Sequence, residues 1–583
     1  MNRGFFLGIY HGHNATVAVL DDEGNLLDCI SEERFRSVKN YSGFPTETIR
    51  YILNKYEGKE ILGVGLPFEF MNSVFLTSID GTYRETSGIS NLLWRIRVAM
   101  MHADRGLHDN IYNRYNSLIG KRNAKKQIKL TADRLNLNEF KVVGYNHQLC
   151  HAYSAYYLSP FNGKDALVLT LDGEGDGLCA TVSTVKRGKF KTISTTPLGN
   201  SLGWIYMDLT KYMGMRPNEH EYKIMGLAPY AKEEHVDKVY EKIKDWLEVD
   251  GLEFRSKFDT HLSYEFMQKT LQGYRFDNIA GAFQKLVEER IVEWVANAIK
   301  HTKLDTVCCG GGVFMNVKAN MCVSKIKTLK NLWVMPSCGD DSTPMGSAIA
   351  SYKEYCERSR RKFSVAPIKD LYLGPAYSNE TIKDFIKQNK LTKKYSVTRV
   401  KDISKKIAQL LSKGEVVANM SGRMEWGARA LGNRSILANP SKPDVIREIN
   451  EYVKNRDFWM PFAGSIIEER AKDYIKNPKN IASDYMIMTY ESTPLAVAEL
   501  RNAMHPYDFT IRPQIVRKDW NLRYYNIIKE FEKLTGIGGV LNTSFNLHGL
   551  PIALGPAESL HVFENSEIKH LVLEDFLISK SKK

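Results

Sequence analysis

His147 and His151 lie four residues apart in a stretch with few helix breakers, NHQLCHAYSAYYLSP. Residues at that spacing share one face of a helix, so both imidazoles can address a single atom. That is metal-ligand geometry, but two ligands do not close a site. Asp172 ends an apolar, strand-like run, ALVLTLD, and Asp340 and Asp341 occupy a turn, MPSCGDDSTPMGSA, ahead of a small-residue helix. Two histidines plus two aspartates form a nitrogen–oxygen donor set that suits iron(II), manganese or zinc and leaves room for an exchangeable ligand. Each residue alone has a plainer use, as a surface histidine or a turn-capping aspartate. Only convergence in the fold makes them a site.

A second group of residues suits phosphates. CGGGVFMN places Gly310, Gly311 and Gly312 after a strand and before a helix, where backbone N–H groups can face a phosphate. No Lys-Ser/Thr pair follows, so this is not a Walker A loop, and the spacing is not a dinucleotide fingerprint. DGEGDG, from Asp172 to Gly177, is another turn where backbone can approach a ligand. Further on, SGRMEWGARALGNRSILANP carries Arg423, Arg429 and Arg434. Guanidinium groups hold phosphate or carbamate oxygens bidentately. FTIRPQIV adds Arg512 and Gln514, and LNTSFNLHGLPI adds Asn542, Thr543, Ser544 and Asn546. The plain alternative is a solvated helix with surface arginines.

The elements that must position these residues can be sketched. FFLGIY and TVAVLDDEGNLLDCI make a strand–turn–strand unit with hairpin chemistry at DDEGN. DALVLTLDGEGDGLCATVSTVKRGKF repeats that layout. Helices are predicted over 46–55, over a basic stretch from about 91 to 135, and over 279–300; EFKVVGYN is a strand feeding the helix of His147 and His151. LDTVCCGGGVFMNVKANMCV reads as strand, glycine turn and helix. A charge run from Arg358 to Lys362 precedes an extended proline-containing segment and divides the chain into 1–362 and 363–583.

Length and composition set the outer bounds. A chain of 583 residues is too long for one core, and 43% hydrophobic with 25% charged residues is ordinary for a soluble globular protein. The eight cysteines include no CxxC pair, which argues against a zinc ribbon or a disulfide framework. No leader and no apolar run of about 18 residues is present, which predicts a cytoplasmic protein with no membrane partner. The net charge of +14 favours a polyanionic partner or phosphate-bearing substrates, although a lysine-rich solvated surface gives the same sum.

Together these motifs resemble the NodU/CmcH carbamoyltransferase family, the TobZ-like O-carbamoyltransferases. GHNAT, SEERFRSVKN, HQLCHAYSAYY, LTLDGEGDG, SLGWIYMDLTKYMG, EYKIMGLAPY, GGGVFMN, GDDSTPMGSA, GRMEWGARALGNRS and LNTSFN come in the family's order along nearly the whole chain. The resemblance implies an α/β protein with an N-terminal, TsaD-like domain of the actin/hexokinase ATPase fold and a C-terminal, YrdC-like α/β domain. It implies that carbamoyl phosphate and ATP give carbamoyl-adenylate in the C-terminal domain, and that the intermediate passes internally to the N-terminal domain for transfer to an acceptor hydroxyl. By the same resemblance His147, His151, Asp172 and Asp340 are the metal ligands, with iron(II) favoured and manganese, magnesium or zinc as alternatives. His13 is the base or hydrogen-bond donor beside the reacting carbonyl, with His11 as a rival. Lys39, Glu221 and Lys223 line the intermediate site. Gly310, Gly311, Gly312 and Asn316 cradle the nucleotide, and Arg423, Arg429, Asn433, Arg434, Arg512, Asn542, Ser544 and Asn546 bind substrate phosphates.

The sequence departs from the family in three places. Asn14 stands where aspartate is common, Met460 replaces an arginine, and HPYDFTIRPQ carries one extra residue with Phe509 in place of glycine, which puts contacts from His505 and Asp508 in question. The family acts on sugars of antibiotics and signalling oligosaccharides, and a wider group acts on 5-hydroxymethylcytosine in DNA. Two basic clusters, Lys121, Arg122, Lys125, Lys126 and Lys129, then Arg358, Arg360, Arg361 and Lys362, point to a hydroxymethyl pyrimidine in DNA or a nucleotide as acceptor. A base modified in DNA is usually extruded into a pocket. A sugar-like natural product is the second reading, and a non-catalytic nucleic-acid-binding protein on an ATPase-like fold is the third. Threonylcarbamoyl transfer to tRNA fits poorly with the long GARALGNRS domain. For a viral enzyme the compartment is the host-cell cytoplasm, and the oligomeric state stays open, a homodimer included.

Overall fold

The computed structural model describes residues 4–70, 120–454 and 456–580. The expected basic segment therefore falls only partly within it: residues Lys121–Leu135 form a helix, and residues 91–119 lie outside the described part. The chain divides into two compact units. Met1–Glu32 with Asn40–Ile368 make the first, and Glu33–Lys39 with Lys369–Lys583 make the second.

The first unit holds two five-stranded sheets that follow one path. In the first, β1 (Gly4–Tyr10), β2 (Thr16–Asp21) and β3 (Leu26–Ser31) form an antiparallel meander. β4 (Glu60–Leu66) and β5 (Val142–Gly144) then add in parallel to the free edge of β1, giving the order β3-β2-β1-β4-β5. In the second, β6 (Ala166–Gly175), β7 (Leu178–Lys186) and β8 (Lys189–Pro197) are the meander, and a small hairpin of β9 (Leu247–Asp250) and β10 (Glu253–Ser256) follows. β11 (Thr306–Gly310) and β12 (Asn331–Val334) join β6 in parallel. The order β12-β11-β6-β7-β8 repeats the first sheet, as the two strand–turn–strand units of the sequence predict. β1, β2 and most of β6 are buried on both faces, which explains their nearly unbroken apolar runs.

Two helices carry the chemistry between these sheets. Asn146 caps the His147–Tyr157 helix by accepting from the Leu149 N–H, and this helix is buried almost all round. The Thr343–Arg358 helix starts on Pro344 and continues through Gly346, Ser347 and Ala348. A Cβ on Gly346 would lie 1.8 Å from the Cys150 carbonyl oxygen, so glycine is what lets the two helices touch backbone to backbone.

The second unit is built on one mixed eight-stranded sheet. Its strands are β13 (Ser396–Arg399), β14 (Val417–Met420), β15 (Arg434–Ala438), β16 (Ala463–Ile467), β17 (Pro513–Val516), β18 (Gly539–Ser544), β19 (His570–Leu573) and β20 (Phe576–Ser579). They run in the order β13-β20-β19-β14-β15-β18-β16-β17, with β14/β19 and β16/β17 parallel and the other pairs antiparallel. Its core is aliphatic and aromatic, from Ile382 and Ala418 to Phe563 and Leu571. Arg34, on the short segment that joins this unit, is buried and donates to the Gly427 carbonyl at 2.8 Å.

Among the described residues no helix is long and apolar enough to cross a membrane.

Candidate functional site

In the first unit four buried side chains converge. His147 and His151 come from successive turns of one helix, with their Nε2 atoms 3.1 Å apart. Asp172 comes from the end of β6, and its Oδ2 lies 3.3 Å from His147 Nε2 and 3.6 Å from His151 Nε2. Asp340 comes from the turn before the Thr343–Arg358 helix, and its Oδ1 lies 3.4 and 3.5 Å from the same two nitrogens. One donor atom from each residue falls within 4.8 Å of every other. Asp341, left open by the sequence, turns aside to accept from the Ser337 hydroxyl at 2.7 Å.

The surroundings aim these donors. His147 Nδ1 faces the Pro67 carbonyl at 3.3 Å and His151 Nδ1 faces Ser342 Oγ at 3.4 Å, so both rings turn Nε2 inward. Gly312 N–H donates to Asp172 Oδ1 at 3.0 Å, leaving Oδ2 for the histidines. Tyr10 donates to Asp340 Oδ2 at 2.5 Å. Asp176 accepts from the backbone N–H groups of His147, Glu69 and Phe70 at 2.7 to 3.1 Å and so fixes the start of the ligand helix. Nothing in the linear sequence marks Tyr10, Asp176 or Ser342 as partners, because each acts across a long sequence separation.

Burial by itself would keep both imidazoles neutral and both carboxyls protonated, yet mutual attraction outweighs it. His147 and His151 are raised, with Asp340 and Asp172 as the raising partners. Asp172 and Asp340 are lowered, against burial, by the two histidines, with His13 contributing at Asp340. Two imidazoles and two carboxylates directed at one point are a donor set that fits a divalent cation, which would take the place of the protons they share.

The other expected residues of this unit fall around that centre. His13 is part-exposed, with Nε2 3.5 Å from Asp340 Oδ2 and Nδ1 3.5 Å from the Tyr10 hydroxyl. Glu221 is raised by burial, and His13 acts on it electrostatically in the lowering direction, so the two are neighbours. Lys223 lies two residues on, at the first turn of the Glu221–Leu227 helix. His11, the rival, is buried and stacked on Phe68 at 5.1 Å, away from the four donors. Asn14 has a left-handed φ of 61°, a conformation asparagine tolerates.

The glycine triplet serves a different end from the phosphate cradle read in the sequence. Gly311 N–H is bonded to the Cys338 carbonyl and Gly312 N–H to Asp172. A Cβ on Gly310 would meet the His151 carbonyl at 2.9 Å, and one on Gly311 the Leu171 carbonyl at 2.3 Å. Here the glycines let β11 and its turn close on the ligand strand and the ligand helix. Asn316 caps the Val317–Ser324 helix and pairs its amide with that of Gln284.

In the second unit the arginine motif separates into two kinds of residue. Arg434 is fully buried and donates to the carbonyls of Leu554, Ser421, Gly422, Asn433 and Pro375 at 2.9 to 3.4 Å, which makes it a scaffold for the surrounding loops. Arg423 donates to Gly374, Asn433 spans Arg423 and Asn521, and Asn542 donates to Ala430, Ser465 and Gln514. Arg512 is different: its Nε is buried with no hydrogen-bond partner among the described residues. Its pKa is pushed well down by burial and then by Arg429 and Arg456. Lys454 is buried and likewise pushed well down, by burial and then by Arg456 and Lys39. Its ammonium donates to the backbone and side-chain oxygens of Ser544 and Asn546 at 2.6 to 3.1 Å. Lys39, Arg429, Lys454, Arg456 and Arg512 thus form a group of cations that repel one another, an arrangement that an anion relieves. Lys454 and Arg456, in KNRDF, lie outside the motifs read in the sequence. Lys39, grouped with Glu221 and Lys223 in the sequence analysis, belongs to this second group.

The inserted loop closes on itself. His505 Nδ1 accepts from the Tyr507 and Asp508 N–H groups, Asp508 accepts from Thr510, and Phe509 takes a left-handed φ of 55° in the place of the family's glycine.

Comparison with known proteins bears on the family. A family model described as Carbamoyltransferase N-terminus matches residues 6–349, and one described as Carbamoyltransferase C-terminus matches residues 408–580. An uncharacterized protein of Methanocaldococcus jannaschii is 30% identical over 98% of this chain and 99% of its own length. Nodulation protein NolNO of Sinorhizobium fredii is 26% identical over 97% of this chain and 78% of its own length. Nodulation protein NolO of Bradyrhizobium diazoefficiens is 28% identical over 75% and 79%. Among solved structures, full-length HypF in the phosphate- and nucleotide-bound form is 12% identical, with a TM-score of 0.32 over 62% of this chain and 57% of that one. A ROK family glucokinase from Streptomyces griseus is 14% identical, with a TM-score of 0.29 over 60% of this chain and 100% of that one. The two family matches between them take in both compact units, and with the full-length relatives they establish that the chain belongs to the carbamoyltransferase family and is a carbamoyl-transferring enzyme.

Proposed function

We propose that this is an ATP- and metal-dependent O-carbamoyltransferase working in two steps. In the second, YrdC-like unit, carbamoyl phosphate, water and ATP give carbamoyl-adenylate with release of phosphate and pyrophosphate. Arg512, Arg429, Arg456, Lys454 and Lys39 hold the phosphate oxygens and spread their charge, as cationic clamps do in such reactions. In the first unit the carbamoyl group moves to an acceptor hydroxyl and AMP leaves. His147, His151, Asp172 and Asp340 hold the divalent ion, iron(II) in the favoured reading. That ion, when bound, polarises the carbamoyl carbonyl as a Lewis acid. His13, part-exposed beside Asp340, takes the hydroxyl proton on its ring nitrogen, and Tyr10 fixes the Asp340 carboxylate that faces it. The observation that carries this reading is that the ion-binding donors and the mutually repelling cations fall in different compact units.

For the acceptor, the exposed face of the Lys121–Leu135 helix supports a hydroxymethyl pyrimidine in DNA or a nucleotide. Lys121, Arg122, Lys125, Lys126 and Lys129 all project from it, while Asn123, Ala124 and Gln127 face inward. The other basic run counts for less: Arg358 pairs with Glu354 at 2.9 Å and Arg361 reaches Asp22. That thinning of free charge favours the second reading, a sugar-like acceptor. Incubation with carbamoyl phosphate, ATP and iron(II), with hydroxymethylcytosine DNA and a panel of hydroxylated sugars, tests both. A carbamoyl mass gain on the nucleoside supports the first acceptor, and a gain on sugar alone replaces it with the second. Failure to form AMP and pyrophosphate from any mixture removes the two-step scheme.

A further inference from the structure

Among the described residues, a second cluster of ionisable side chains lies beside the four-donor centre. β6 and β7 lose register between Leu171 and Gly175, so Asp172, Gly173 and Glu174 bulge out of the ladder. Such bulges re-aim side chains, and here two carboxylates two residues apart go to different partners. Asp172 turns to His147 and His151, and Glu174 turns to His261, whose Nε2 lies 3.4 Å from Glu174 Oε2. His261 is buried, and its Nδ1 meets Asp259 Oδ1 at 2.7 Å, an oxygen that also accepts the His261 backbone N–H. Glu174 is the solvent end of this row, with its side chain 34% exposed.

The neighbouring helix supplies a ring. The Leu202–Tyr212 helix begins against the bulge: Ser201 Oγ donates to the Gly173 and Asp172 carbonyls, and a Cβ on Gly203 would lie 2.9 Å from Gly173 N. This close approach brings half-buried Trp204 onto His261, with ring centroids 4.3 Å apart. A surface glutamate does not need a buried histidine and aspartate behind it for solubility. Burying such polar groups costs free energy unless each is paired, so the row is justified by the fixed direction it gives the Glu174 carboxylate.

We infer that Glu174 and Trp204 form the acceptor subsite, in which Glu174 accepts hydrogen bonds from amino or hydroxyl groups beside the carbamoylated hydroxyl and the indole lies against the acceptor ring. His261 and Asp259 are positioning residues that act through Glu174. The ligand class is a ring bearing hydrogen-bond donors, an amino sugar or a hydroxymethylcytosine nucleoside, with any phosphate held away from the carboxylate. The inference rests on the transferase reading, since it assigns one side of that reading's acceptor.

Direct binding tests it without requiring turnover. Calorimetry on the full-length, ion-loaded protein would use methyl glucosaminide, 5-hydroxymethyl-2′-deoxycytidine and glucose 6-phosphate as probes. One or both of the first two should bind, and Glu174→Gln should weaken that binding by at least about ten-fold, the loss expected for hydrogen bonds to a charged group. The amide of Gln can still meet His261, so the bulge should hold and the melting temperature should stay within about 2 °C of wild type. His261→Gln should weaken the same probes by a smaller factor. Unchanged affinity in Glu174→Gln, binding of neither donor-bearing probe, or equal preference for glucose 6-phosphate overturns the subsite. Loss of the transferase reading shows separately, as Glu174-dependent binding without any carbamoylated product.

Discussion

At the scale of residues, the proposed ion centre depends on four donors whose loss is not interchangeable with that of their neighbours. His151→Ala or Asp340→Asn should reduce bound metal from about one ion per chain to a small fraction of that, read by elemental analysis. Asp341→Asn should keep the ion, because Asp341 faces Ser337 and not the histidines. Equal loss in both aspartate variants would refute the assignment to Asp340. His11 offers an expectation of another kind. Burial first, and the Arg134 charge second, lower its pKa from 6.5 to about 4. The folded protein thus keeps this ring neutral where the unfolded chain would protonate it. The stability this contributes is complete above about pH 6.5 and is lost as pH falls through about 4, roughly 3 kcal/mol in all. His11→Phe keeps the stack on Phe68, so its melting temperature should fall less steeply than that of wild type across this window.

At the scale of elements, the site depends on close approach. Gly311 has a φ of 98°, and any Cβ there would meet the Leu171 carbonyl oxygen at 2.3 Å. Gly311→Ala should therefore cost about 2–4 kcal/mol and lower the thermal midpoint by several degrees. A neutral result would mean that the turn can retreat from β6 without loss. Asp176 ties the first residue of the ligand helix to the residues after β4. Asp176→Ala should weaken metal affinity by about 10–100-fold while leaving the four ligands in place, which a metal titration would read. The local elements that carry these features were visible beforehand. The strand–turn–strand repeat, the helix of His147 and His151 and the strand–glycine–helix of CGGGVFMN follow from local hydrophobic period and turn chemistry. The destination of the Gly312 N–H did not, because it is set by Asp172 on β6, which is more than a hundred residues away in sequence.

At the scale of the whole molecule, the two groups of functional residues belong to separate compact units. His151→Ala should therefore abolish carbamoyl transfer yet keep release of pyrophosphate from ATP in the presence of carbamoyl phosphate. Arg512→Met should abolish both. Loss of the nucleotide reaction in His151→Ala would show that the two chemistries share one centre. The boundary itself has a feature that linear reading overlooks: Glu33–Lys39 leaves the first unit and packs with the second, where buried Arg34 donates to Gly427.

The sequence alone determined the duplicated strand units, the helix of His147 and His151, the family and the residue types that converge as four donors. Those properties are carried by short-range period, by turn residues and by motifs that survive in linear order. Tertiary structure decided which of two adjacent aspartates faces the histidines, which arginines are spent on backbone carbonyls and which remain mutually repelling, and where Lys39 belongs. Each of those outcomes depends on burial and on partners far apart in the chain: Arg434 and Arg512 have the same side chain, and only their neighbours make one a strut and leave the other buried among cations with a bare Nε.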